Sequence, residues 1–359
     1  ALNRHHRGDE CHTNSENHTK NVHQVQDVVG RISDYCDHSP NSTTAWAIAL
    51  SHHGGRTTAM EFAPDPQVRD LTVADENLGL GTDYRPRHLS PSSASLYQQC
   101  PRKWRHRYVD RLPDPPGEPA LVGTFAHLIL EHLLRLPEGQ RSQDAAKELA
   151  REYWPEMEQE KDYQALTLSD AQAKAFRWKA WEAVAGLWLL ENPDETQVHA
   201  TEHEVQVDIS GVPFRGIIDR VDVVDEQLVI TDYKSGKAPS DRFRARPLKQ
   251  VLLYAAAVEA SLGQRPLGAR LHYLGQRTLG VRVTSSNLGD AVQELGATWS
   301  SLISDCENNQ FDTSTGPLCA WCPFLAECPD GQKEVITRNE AGSVRADAPG
   351  LAIVYAEHA

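Results

Sequence analysis

Two acidic residues and a lysine in the middle of the chain have the types and spacing for metal chemistry. Asp219 lies in the run Gly216-Ile217-Ile218-Asp219-Arg220-Val221-Asp222, and Asp232 and Lys234 lie in Thr231-Asp232-Tyr233-Lys234-Ser235-Gly236. Both runs are rich in β-branched residues and read as strands. If Asp225 and Glu226 form the turn between them, Val224 pairs with Gln227, and the same register sets Asp219 opposite Asp232. Opposed residues of an antiparallel pair share a face about 5 Å apart. Lys234 shares that face, and Tyr233 points away. Asp-Glu is not a favoured two-residue turn, which leaves the register room to slip.

Two carboxylates at that distance repel each other unless a cation sits between them. A hard divalent ion, Mg²⁺ or Mn²⁺, takes oxygen ligands, and Asp219, Asp232 and the backbone carbonyl of Tyr233 could supply them. Lys234 would then hold or help activate a water and neutralise charge on a phosphate. The competing explanation, a solvated polar face, fits poorly: Ile217, Ile218, Val221, Val223, Val229 and Ile230 imply strands buried on both faces.

The elements that must position these groups follow from periodicity. Ser90-Pro91 reads as a helix start, with a short helix running on through Cys100. A second helix covers 123–136, and longer helical stretches cover about 142–160 and 168–191. Strands are expected at 198–209, 212–224 and 227–234, a helix at 247–262, strands at 267–275 and 278–284, and a closing helix at 286–309. The fold class is α/β (α+β), with a mixed central sheet and a helical insertion.

Cys319, Cys322 and Cys328 form a compact three-thiol group that needs a fourth ligand for a closed metal site. Cys306 is the local candidate and would complete a zinc-ribbon-like set, although its polar helix end also suits a free surface thiol. Two basic runs flank the strands. One holds Arg102, Lys103, Arg105, Arg107 and Arg111 with Trp104 and Tyr108 interleaved; the other holds Lys237, Arg242, Arg244, Arg246 and Lys249. They read either as a track for phosphates and bases or as solvated charged faces.

Taken in order, these motifs resemble the RecB-like branch of the PD-(D/E)XK nucleases over about 89–329. Gly123-Thr124-Phe125-Ala126-His127 is similar to its first motif, which makes His127 a metal ligand, although a lone helical histidine is otherwise more often structural. Gln250 and Tyr254 match its Gln-x-x-x-Tyr motif and imply residues beside the metal site or on DNA; alone, they could equally cap a packed helix. Cys100-Pro101-Arg102-Lys103-Trp104 with the last three cysteines resembles the iron–sulfur subset, which includes AddB and the CRISPR-adaptation nucleases. That implies a 4Fe-4S cluster on Cys100, Cys319, Cys322 and Cys328, with zinc as the alternative. Asp232 stands where the superfamily more commonly has Glu.

The resemblance implies a metal-dependent deoxyribonuclease, acting as an exonuclease on single-stranded or frayed DNA in repair or recombination. The alternatives are a nuclease partner of a separate helicase and a non-catalytic iron–sulfur module that binds DNA ends. The net charge of −14 excludes a protein coated all over in basic charge but not local basic tracks. No apolar run reaches the roughly 18 residues of a membrane helix, and a cytoplasmic protein with DNA as partner is expected. Residues 1–59 hold eight of the sixteen histidines and no sustained apolar period. They are expected to be a disordered or non-native leader, followed by a linker at 60–86, the nuclease domain at 87–330 and a C-terminal tail at 331–359.

Overall fold

A computed structural model describes residues 84–356. The expected leader and most of the expected linker lie outside the described residues.

Strands β1 (Val198–Ile209), β2 (Val212–Val224) and β3 (Gln227–Lys234) form an antiparallel meander. Its two hairpins close on residues that tolerate left-handed backbone. Ser210 and Gly211 have φ of 53° and 87°, and Asp225 and Glu226 have 51° and 62°. Both therefore take the doubly left-handed turn that matches strand twist. The Asp-Glu turn holds the expected register, with Val224 opposite Gln227.

A parallel neighbour for β3 needs a crossover. Helix α7 (Ala245–Leu262) supplies it and ends at Gly263, whose φ is 68°. Strand β4 (Gly268–Tyr273) then pairs parallel with β3, and β5 (Arg277–Arg282) pairs antiparallel with β4, giving the sheet order β1-β2-β3-β4-β5. The capped helix α8 (Ser285–Asn308) follows.

The sheet separates two apolar cores. On one side lie α7, α8 and the front helices α1 (Pro91–Gln99) and α2 (Pro101–Tyr108). On the other lies the helical insertion: α3 (Glu118–Arg135), α4 (Gln143–Gln159), α5 (Lys161–Ala165) and α6 (Asp170–Ala185). The helix expected over 168–191 ends at Ala185 and tightens into a 3₁₀ turn, Gly186–Leu189. The backbone packs closely there: a Cβ on Gly186 would lie 2.3 Å from the Gly275 nitrogen at the β4–β5 turn.

Residues 331–354, expected to be a tail, lie in or between helices α9 (Pro329–Glu340) and α10 (Pro349–Val354). They bury Val335 and Ala348 against Ala320 and Leu325 of the cysteine loop, forming a third small core.

Candidate active site

The chemistry gathers where strand regularity breaks. In β2, Val212, Phe214 and Ile218 face the core with α7, but so does Val221, so the side-chain alternation slips between Ile218 and Val221. The β1–β2 register passes from Thr201↔Arg220 to His203↔Ile218, skipping Glu202 and Asp219, and Glu202 has φ of 45°. Irregularities of this kind re-aim side chains and persist only where surrounding structure enforces them. The β2–β3 pairing also ends early, at Arg220↔Thr231. Asp219 and Asp232 thus lie one step beyond the last pair, where the expected opposition of the two is not held by the backbone ladder.

The Asp219 carboxylate turns to the loosened edge of β3. Its Oδ2 accepts a 2.7 Å hydrogen bond from the Tyr233 amide and lies 3.4 Å from His127 Nδ1. Asp232 Oδ1 accepts a 3.4 Å bond from Gln250 Nε2, which α7 brings across the sheet. Asp232 Oδ2 lies 2.6 Å from Lys234 Nζ yet is buried without a hydrogen bond of good geometry. Tyr254 is buried one turn after Gln250, against Gly216, where a Cβ would lie 2.7 Å from its ring. Gly123 likewise permits α3 to approach the end of β3, since a Cβ there would meet Ser235 Oγ at 2.6 Å. Both glycines therefore serve close approach between elements.

Electrostatics mark the site as short of positive charge. Burial and the neighbouring Asp219 charge push the Asp232 carboxyl up to about 6, against the pull of Lys234. Burial also works to raise Asp219, but His127, the Tyr233 amide and Lys234 outweigh it and hold the group below its ordinary value. Burial works to lower the His127 pKa, and contact with Asp219 and the charge of Asp232 raise it overall.

Glu202 on β1 was not singled out by sequence. Burial and the charges of Asp219 and Glu131 push its carboxyl up to about 7. Its signal in the sequence is weak: it is one of three acids in β1, with Glu204 and Asp208.

A family model for the PD-(D/E)XK nuclease superfamily matches residues 88–329. The chain belongs to the PD-(D/E)XK nuclease superfamily. It is 27% identical over 200 residues to the Gene 69 protein of Mycobacterium phage D29, covering 48% of this chain and 70% of that protein. It is also similar to a crystal structure from Eubacterium rectale provisionally called an exonuclease, at 14% identity and a TM-score of 0.42 over 66% of this chain and 86% of that one.

Nucleases of this superfamily work with Mg²⁺ or Mn²⁺. Among the described residues, no three His, Cys, Asp or Glu side chains stand in a preformed metal cage. The donor set nevertheless suits a hard cation: two neighbouring buried carboxylates, one with its pKa raised in part by the other's charge, in a site where a cation relieves their repulsion.

The four cysteines implied by the resemblance line one cavity of about 1040 Å³, while Cys306 does not. Cys306 is buried in the core on α8, where burial and nearby acids push its thiol up to about 11. It is neither the expected surface thiol nor a neighbour of the cysteine loop. Backbone N–H groups of Ser314, Gly316 and Gly331 point at the sulfurs of Cys100, Cys319 and Cys328 at 3.3–3.4 Å, and the Phe324 amide serves Cys322.

The same cavity reaches Gln250 and is lined by Arg102, Lys103, Arg242 and Arg246. Arg105 and Arg107 are instead paired with Asp110 and Asp114. Arg244 and Lys237 are exposed beyond the lining. Trp104, expected to meet bases, is only 1% exposed; it donates to Ser93 and stacks on Phe311. An exposed aromatic on the cavity rim is Phe243, between Arg242 and Arg244.

Proposed function

We propose that this nuclease is a metal-dependent deoxyribonuclease that works exonucleolytically on single-stranded or frayed DNA ends in repair or recombination. The convergence of Asp219, Asp232 and Lys234 beside the Tyr233 backbone carries the reading. A Mg²⁺ or Mn²⁺ ion held by the two carboxylates and the Tyr233 carbonyl, with His127 completing the set, would supply a polarised water and a counter-charge for the phosphate. Asp219 and Asp232 define where that charge sits, and the Tyr233 amide fixes the Asp219 rotamer. The Lys234 ammonium, two residues past Asp232, is placed to orient the attacking water and meet negative charge growing on the phosphate. Gln250 holds the second oxygen of Asp232. A bystander role for these groups is disfavoured by energetics, since buried repelling carboxylates lower stability and persist where function requires them.

The cavity supports the substrate class. Arg102, Lys103, Arg242 and Arg246 line that cavity with positive charge, and Phe243 offers a ring to a base, which suits a single strand with accessible bases. A 4Fe-4S cluster on Cys100, Cys319, Cys322 and Cys328 fits the backbone N–H donors around the four sulfurs. It would tie the front helices to the C-terminal core.

Purified protein incubated with end-labelled single- and double-stranded DNA, with Mg²⁺, Mn²⁺ or EDTA, tests the reading. Mononucleotides or short products released from single strands only in the presence of metal are expected. Absence of cleavage under all conditions, with DNA binding retained, would replace it with a DNA-end-binding module.

A further inference from the structure

Opposite Asp232, on the insertion side of the sheet, lies a buried ionic network that the proposed chemistry does not use. Arg220 is wholly buried. Its two terminal nitrogens donate to both oxygens of Glu191 at 2.5 and 2.9 Å, and its Nε lies 2.7 Å from Asp222. The Asp222 carboxylate also accepts from Thr231 at 2.6 Å and from Arg270 at 2.7 Å. His272 Nε2 stands 3.1 Å from Glu191. Arg220 makes one further contact: Nη1 donates to the Tyr233 hydroxyl at 2.6 Å, with the guanidinium 5.4 Å from the centre of the Tyr233 ring.

The position of that last bond gives it a meaning. Backbone pairing between β2 and β3 stops at Arg220↔Thr231. Arg220 immediately follows Asp219 in β2, and Tyr233 immediately follows Asp232 in β3. Beyond the last ladder pair, two bonds tie the strands: the Tyr233 amide to Asp219 on one side and Arg220 to the Tyr233 hydroxyl on the other. We infer that the Glu191–Arg220–Tyr233 chain is a positioning clamp, which sets the separation of Asp219 and Asp232 and the direction of the Tyr233 carbonyl. The inference rests on the nuclease reading of this site.

Groups that orient metal ligands without touching the ion alter metal affinity by 10–100-fold. Tyr233→Phe removes only the hydroxyl that Arg220 holds, and Glu191→Gln weakens the anchor of Arg220 without touching Tyr233. Calorimetric titration of the full chain with Mn²⁺ should show affinity about tenfold weaker in Tyr233→Phe. Glu191→Gln should show a similar loss, and the double variant little more than either alone, because both break one chain. Circular dichroism confirms that each variant is folded before titration, and the two substitutions act at different points, so one suffices if the other fails to fold. Folded variants with wild-type Mn²⁺ affinity, or losses that simply multiply in the double variant, would overturn the clamp alone. Wild-type protein that binds no Mn²⁺ would overturn the nuclease reading and the clamp with it.

Discussion

Two pairs of buried carboxylates lie around β3 and differ in how their charge is met. Glu191 and Asp222 are answered from within the chain, by Arg220, Arg270 and His272. Burial works to raise the Glu191 pKa, yet Arg220 and its neighbours hold that carboxyl well below the ordinary value. Asp219 and Asp232 share Lys234 and a histidine, and even with Lys234 2.6 Å from it Asp232 is left with a raised pKa. The same residue type therefore serves as scaffold where its counter-charge is built in. Where the counter-charge falls short, as at Asp219 and Asp232, the proposed function has a cation supply it.

The largest effects should come from the incomplete pair. Asp219→Ala, Asp232→Ala and Lys234→Ala should each reduce metal-dependent cleavage by at least about a thousandfold. Filter binding should find DNA affinity in the absence of metal largely intact. Wild-type-like cleavage in any two of the three would break the distinction between the pairs at its functional end.

The complete pair should show itself in stability. Arg220→Met leaves two buried carboxylates without their main partner, a class of change that costs about 3–5 kcal/mol. Denaturant titration in EDTA reads that loss directly, separate from any metal effect. A variant as stable as wild type would mean that the network is not held together by its charges.

The two pairs were unequally legible in sequence. Asp219, Asp232 and Lys234 sit two or three residues from other recognisable motif residues, and a hairpin register reads such local pairings well, even through a turn as unhelpful as Asp225-Glu226. All five strands were also placed to within one or two residues, because β-branched runs bounded by turn residues signal themselves. The network draws Glu191 from the insertion, Arg220 and Asp222 from β2, and Arg270 and His272 from β4. Nothing in their spacing shows that they meet, and a buried arginine looks in sequence like a surface one. Trp104 failed for the same reason: an aromatic among arginines suggests a nucleic-acid contact until the structure folds it under Phe311. Glu202 escaped because it is itself a left-handed residue inside a strand, which periodicity does not reveal.

The cysteines extend the comparison to a third set of anions-in-waiting. Burial and the nearby sulfurs raise the Cys319 and Cys322 thiols, against the pull of the Gly316 and Phe324 amides and, at Cys322, of the Lys103 charge. Anaerobically purified protein should be brown. Cys100→Ser and Cys322→Ser should each lose the colour, and Cys306→Ser, away from the cavity, should keep it. Closing a loop from residue 100 to 328 is worth on the order of 4 kcal/mol by analogy with a long disulfide, so Cys100→Ser should also lower the melting temperature. Colourless wild type carrying stoichiometric zinc would replace the cluster with a zinc site.

The smallest effect is the most direct contrast between the two pairs. In metal-free protein, Asp232 titrates near 6, above the value near 4 expected of an unfolded aspartate. Between those values the native state holds a proton that the unfolded state has lost, so stability falls as pH rises through the interval. Above it the carboxylate is ionised in both states, and the native state bears the whole repulsion. Asp232→Asn removes that cost and should stabilise the protein in EDTA at pH 7 by about 1–2 kcal/mol while leaving it inactive. Its stability should also vary less between pH 4 and 6. Asp222→Asn, which removes a charge that Arg220 and Arg270 already answer, should move stability the other way. Saturating Mn²⁺ should reverse the order of wild type and Asp232→Asn, because the ion binds only the native site and stabilises in proportion to its affinity. Thermal melts of the three proteins at pH 4, 6 and 7, with EDTA or Mn²⁺, distinguish these cases. If Asp232→Asn and Asp222→Asn are equally destabilised in EDTA, then Asp232 is an ordinary structural carboxylate and the contrast between the two pairs fails.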